Sequence, residues 1–138
     1  MEEIILKGHK GAGGKGEGKA MVSKCDVCWF KTVDSKGNII DKENELYGQN
    51  IAGSIFVFPS FKGSTAGSFR LYEMVFKGSA PKAIVNKTAD TVTLSGAILG
   101  GIPLVHNFEV DPTSVIETGD IVTVDGDEAT LRITKVRR

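Results

Sequence analysis

The residues best equipped for chemistry lie together in Pro59-Ser60-Phe61-Lys62-Gly63-Ser64-Thr65-Ala66-Gly67-Ser68. The apolar run Ile55-Phe56-Val57-Phe58 precedes them and reads as a strand buried on both faces. A helical pattern follows them. A polar loop at a helix start offers backbone N–H groups and hydroxyls to an anion at the positive end of the helix dipole. Lys62 adds a full charge, and Ser64 and Ser68, four apart, fall on one side of the first turn. An alkoxide at Ser64 would be stabilised by the dipole and the lysine, so this otherwise weak base could accept a proton. The same residues also suit a plain helix cap, because Ser and Thr are preferred there. On pattern alone both readings stand.

Other motifs carry less. Gly11-x-Gly13-x-x-Gly16 matches a dinucleotide fingerprint, and Gly13-x-x-x-x-Gly18-Lys19 matches most of a phosphate-binding loop. Both require a helix next, to hold the phosphate on its N-terminal amides. Here Lys19 to Ser23 reads as a strand, and Ala20 stands where a magnesium-binding hydroxyl belongs. A glycine-rich turn between strands is favoured, and a basic loop closing over an anion is held in reserve. Cys25 and Cys28 form a Cys-x-x-Cys, yet Val22 to Val33 reads as extended chain, whereas a thioredoxin-type motif opens a helix. His9 and His106 do not complete a zinc ligand spacing with them. No Ser-His-Asp arrangement or Gly-x-Ser-x-Gly elbow is present, and His106 is read as structural. Asn86-Lys87 and Thr93 to Ser95 are placed at strand ends, as secondary site candidates.

These groups need elements to position them. Ile4-Ile5-Leu6, Ala20-Met21-Val22, Ile51 to Phe58, Ala83-Ile84-Val85, Ile102 to Val105, Ile121 to Val124 and Ala129 to Val136 read as strands. Val122 to Ile133 predicts a hairpin about Asp125-Gly126. A helix is predicted from about Thr65 to Lys77, closed by Gly78, and a shorter one from Ser95 to Leu99. The segments Gly8 to Gly18 and Asp34 to Tyr47, poor in apolar anchors, are expected to be the least ordered. The order of elements predicts one mixed α/β domain over residues 1–138.

Bulk properties exclude some classes. Lys+Arg and Asp+Glu both number 17 in 138 residues, so no basic surplus favours nucleic acid. No apolar stretch approaches the roughly 20 residues of a membrane span. Met1-Glu2-Glu3 lacks the basic start of a signal peptide, so a cytoplasmic protein is expected. Two cysteines are too few for an iron-sulfur cluster held by three or four thiolates.

Gln49-Asn50-Ile51-Ala52-Gly53, Phe56-Val57-Phe58-Pro59, Lys62 to Ser68, and Ala97 to Val105 together make the chain resemble the small subunit of the aconitase X family. The resemblance covers nearly the whole chain, and Gly-Ser-Thr-x-Gly-Ser is its specific part. It implies a swivelling β/β/α domain, as in the C-terminal domain of aconitase, working with a large aconitase-like subunit that carries a [4Fe-4S] cluster. In the archaeal branch it resembles most, the implied reaction dehydrates (R)-5-phosphomevalonate to trans-anhydromevalonate 5-phosphate, on a modified mevalonate route to isoprenoids. Ser64 would take the proton alpha to the carboxylate, while the partner's cluster acts as Lewis acid on the departing hydroxyl. The family pattern fixes only the serine; Lys62, Gly63, Thr65 and Ser68 are read as groups holding a small anionic substrate. No metal ligand is expected on this chain. Phe61 and the Cys25/Cys28 pair depart from many relatives without touching the serine block. A subunit of a hydroxyproline dehydratase, and a non-enzymatic anion-binding or assembly module, are the competing readings.

Overall fold

Ile55, Phe56, Val57 and Phe58 have no exposure to solvent. Their alternation sends Phe56 and Phe58 into one core and Ile55 and Val57 into another. A strand buried on both faces implies a layer on each side of it. The computed structural model, which describes residues 2–63 and 67–136, has that arrangement. Its elements run β1 (Glu3–Lys7), β2 (His9–Ala12), β3 (Lys15–Val22), α1 (Trp29–Thr32), β4 (Ile55–Phe58), α2 (Gly67–Lys77), β5 (Ala83–Asn86), α3 (Thr91–Gly100), β6 (Leu104–His106), α4 (Pro112–Val115), β7 (Ile121–Asp125) and β8 (Thr130–Thr134).

The strands are ordered β1-β8-β7-β3-β4-β5-β6-β2. Strands β3 to β6 are parallel, with β2 antiparallel at their edge, and β1, β8, β7 and β3 form an antiparallel half. Strand β3 belongs to both halves: Lys15 to Lys19 pair with β7, and Ala20 to Val22 pair with β4. Ile55, Val57, Ala83, Val85 and Val105 pack in one cluster with Val122, Val124, Leu131 and Ile133. The two halves therefore face each other, and α2 and α3 cover the far side of the parallel half with Leu71, Met74 and Ala97. The result is the expected β/β/α layering.

Helix α2 ends as predicted, at Gly78 with φ 72°. Helix α3 is longer than the expected Ser95–Leu99 segment. Asp90 caps it, Oδ2 accepting from Val92 N–H at 2.8 Å and Thr93 N–H at 3.1 Å, and Gly101 closes it at φ 71°. Three expected strands are shorter than read. Residues 51–54 turn before β4, with Ser54 Oγ donating to Ile51 O at 2.7 Å. Strand β6 starts at Leu104, and Ala129, at φ 58°, precedes β8.

The structure corrects several expectations. The chain from Val22 to Val33 is not extended throughout, because α1 forms where Trp29 is driven into the core. The Gly8–Gly18 segment is built into β2 and β3, with a turn whose Gly14 N–H donates to Asp127 Oδ1 at 3.2 Å. The Asp34–Tyr47 excursion has anchors after all. Ile39 and Leu46 are buried, and Asn44 Nδ2 donates to Ser23 Oγ at 3.0 Å. Among the described residues no helix is long and apolar enough to cross a membrane.

Candidate functional site

Pro59 has no N–H to donate, so the ladder of β4 stops at Phe58 and the chain turns along the C-terminal edge of the parallel strands. Two segments leave that edge side by side. Val27 N–H donates to Ser60 O at 3.0 Å, and Lys62 N–H donates to Val27 O at 3.0 Å. On the other flank, Pro59 O accepts from Lys87 N–H at 3.0 Å and from Thr88 N–H at 3.1 Å. The base of the Pro59–Gly63 loop is thus held by the segments that follow β3 and β5.

Lys62 and Gly63 are exposed. Lys62 shares an open cleft of about 370 Å³ with Asp26, Cys28, Lys31, Thr32 and Asp41. Gly63 adopts φ 141°, and a Cβ there would lie 2.8 Å from Cys28 Sγ. Positive φ and contact with the sulfur both demand glycine. Ser64 and Thr65 lie outside the described residues. Ser68 is half-buried in the first turn of α2, so Lys62, Gly63 and Ser68 bracket the Ser64–Ala66 stretch. Behind them the wall is aromatic: Trp29 meets Phe58 edge to face with centroids 5.7 Å apart, and its Nε1 donates to Thr93 Oγ1 at 3.1 Å.

The secondary candidates divide. Asn86 ends β5 at this edge, fully buried, its Nδ2 donating to Phe58 O at 3.0 Å. Exposed Lys87 follows it in the chain. Thr93 to Ser95 lie in the first half of α3, not at a strand end, and buried Thr93 serves Trp29. His106 is structural, as read: its Nδ1 accepts from Ala89 N–H at 3.1 Å, and burial, aided by nearby His9, pushes its pKa down. The Gly13-Gly14 turn, once a nucleotide candidate, lies at the start of β3, away from the strand ends that form the site. No helix follows it, and its lysines Lys10 and Lys15 already face Asp127 and Asp125 at 3.9 and 3.8 Å.

Phe61 and Cys28, expected to leave the serine block untouched, both abut it: a Cβ at Gly67 would lie 2.9 Å from Phe61 Cε1, and one at Gly63 would lie 2.8 Å from the sulfur of Cys28. Cys28 stands at the N-cap of α1 and carries Gly63 on its sulfur. The adjoining Trp29, the one tryptophan in the chain, was the signal that a buried anchor follows it. Cys25 is exposed, and both thiols are free. Among the described residues, no group of three or more His, Cys, Asp or Glu is placed to hold a metal ion. The described part of the edge offers an anion hydrogen-bond donors and a lysine.

The comparisons agree with this arrangement. The aconitase X swivel domain matches residues 5–133. The phosphomevalonate dehydratase small subunit of Methanocella arvoryzae is 43% identical over 122 residues, covering 88% of this chain and 92% of that protein. Its counterpart from Methanocaldococcus jannaschii is 45% identical over 128 residues, 93% of this chain and 96% of that one. A crystal structure of Thermococcus kodakaraensis aconitase X, in its holo-form, superimposes with a TM-score of 0.90 at 41% identity, over 96% of this chain and 99% of the other. Layering, loop and near end-to-end similarity converge, and the chain belongs to the aconitase X swivel domain family.

Proposed function

We propose that this chain is the small subunit of a two-subunit hydro-lyase that dehydrates (R)-5-phosphomevalonate to trans-anhydromevalonate 5-phosphate. The observation that carries this reading is the near full-length similarity to relatives named phosphomevalonate dehydratase small subunit. That name also implies a larger partner. The reaction breaks a C–H bond alpha to the carboxylate and the C–O bond of the neighbouring hydroxyl. Ser64 is the proton acceptor; the departing hydroxide takes up a proton from solvent to leave as water, and Ser64 returns its proton to solvent before the next turnover. Support for Ser64 comes from its place in the chain: it follows Gly63, whose loop leaves the edge where the parallel strands end, and it precedes α2. An oxyanion there gains from the helix dipole and from Lys62. Lys62, Gly63 N–H, Thr65 and Ser68 hold the anionic groups of the substrate. A [4Fe-4S] cluster belongs to the large subunit, because such a cluster needs three or four thiolates and this chain has two cysteines in all. The working compartment is the cytoplasm.

The test uses the small chain assembled with its large subunit and follows loss of water from phosphomevalonate by mass. Ser64→Ala is expected to lower kcat by about 100-fold or more, the scale of a lost proton-transfer group, with the assembly intact on gel filtration. Unchanged turnover would remove Ser64 from the chemistry. Turnover of hydroxyproline in place of phosphomevalonate would move the chain to the other branch of the family.

A further inference from the structure

Five large apolar side chains are exposed on two adjacent helices: Phe69 (72%), Tyr72 (43%) and Phe76 (82%) on α2, and Ile98 (62%) and Leu99 (70%) on α3. At about 100° per residue, Phe69, Tyr72 and Phe76 fall within about 60° of arc. Tyr72 and Phe76 already touch edge to face, with ring centroids 6.2 Å apart. The charged residues of α2 occupy the flank away from α3: Glu73 pairs with Arg70 and Lys77, each at 3.7 Å. The aromatic stripe is therefore on the α3 side of the outward face. Leu71 and Val75 of α2 meet Gly96 and Gly100 of α3, where an added Cβ would come within 2.9 and 2.7 Å of them. Leu99 lies just outward of that glycine line, opposite buried Thr93 and Ala97, so it borders the stripe. Helix α3 carries no charged residue in its ten positions. Its exposed positions are Thr91, Ser95, Ile98 and Leu99, so its outer face presents no charge to a partner.

We infer that this outer face of the α2–α3 pair is the docking surface for the large subunit. The inference rests on the reading above that a larger subunit partners this chain. At roughly 200 Å² per aromatic side chain, the α2 stripe alone exposes about 400 Å². A specific interface takes about 800 Å² per partner, so the stripe with Leu99 makes up more than half of one side of such an interface. The geometry selects the occupant. Gly67, the first described residue of α2, is three residues beyond Ser64 in the chain, and a chain that completes the active site must abut that end of α2. Phe69 lies in the first turns beyond it, so the same partner runs onto the stripe.

The experiment measures binding of the purified small chain to the large subunit from the same organism by titration calorimetry. The double variant Phe69→Glu/Phe76→Glu is expected to melt like the wild type, because both positions are exposed, and to bind about 100-fold or more weakly, the scale of interface hot spots. Phe76→Ala, which adds no charge, weakens binding in the same direction. Ile5→Glu, on an exposed residue of β1 in the opposite layer, leaves binding unchanged. Wild-type affinity in a folded double variant overturns the inference. So does a wild-type homodimer that the double variant dissolves while binding to the large subunit persists. Failure of the wild-type chain to bind the large subunit at all defeats the two-subunit reading itself, and the docking surface with it.

Discussion

At the scale of single residues, the position that fixes the serine loop is Gly63. Its φ of 141° is closed to most side chains, and its missing Cβ leaves the room that Cys28 Sγ fills. Gly63→Ala is expected to destabilise the chain by about 1–3 kcal/mol through forced backbone strain, with a fall in turnover of the assembled enzyme. Cys28→Ala in the same chain removes the contact but not the strain. The double variant should therefore recover part of the loss, with a coupling of at least about 0.5 kcal/mol. Strictly additive melting data would show that Cys28 is not the seat of the loop. The hydroxyl-rich block itself was legible in the sequence, since strand, loop and helix signals bracket it. The role of Cys28 was not, because Gly63 and Cys28 meet only once two strand ends run side by side. Local patterns carry no information about such a meeting.

Among the elements, those set by alternation and punctuation were legible: β1, β4, β5, the β7–β8 hairpin and α2. Helix α3 was read too short because Thr91, Val92 and Thr93 are β-branched and mimic a strand, while Asp90, the cap that starts the helix, sits in a polar stretch. Helix α1 was missed for a different reason. Four residues carry little propensity, and burial of Trp29 against Phe58 and Thr93 overrides it. The short α4 had a readable start in Asp111-Pro112, with Asp111 Oδ1 accepting from Thr113 N–H at 3.0 Å. The crossing of α2 and α3 is the joint that positions the Ser64 end of α2. A Cβ at Gly96 would stand 2.9 Å from Leu71 Cδ2 and 3.1 Å from Leu71 Cβ. Gly96→Val overpacks that joint and is expected to cost about 1–3 kcal/mol. In urea denaturation the midpoint should fall at unchanged slope; an unaltered midpoint would mean that the helices can part without cost.

At the scale of the whole molecule, the fold depends on β3 changing partners from the antiparallel half to the parallel half. Asp120 backs that junction: its carbonyl accepts from Ala20 N–H at 2.8 Å, and Gly119 N–H donates to Ala20 O at 3.0 Å. The side chain of Asp120 is fully buried and meets Lys135 Nζ at 2.6 Å. Lys135 also reaches Glu117 at 3.0 Å and Val115 O at 2.8 Å, tying the chain beyond β8 to the junction. Burial alone would lower the Lys135 pKa, but hydrogen bonds and charge from Asp120 and Glu117 outweigh it and raise the pKa above 10.5. A lysine held more tightly protonated in the folded state stabilises it fully below its unfolded value. That contribution is lost as pH rises through the folded value, so the wild type should keep it up to about pH 10 and shed it above that. Lys135→Met removes the ammonium that faces the buried Asp120 carboxylate and should lose about 3–5 kcal/mol at pH 8. The gap between the two proteins should then narrow at pH 11, where the wild type loses the same interaction. Denaturation curves at the two pH values decide it. A gap as wide at pH 11 as at pH 8 would show that Lys135 holds the junction by packing its stem rather than by its charge.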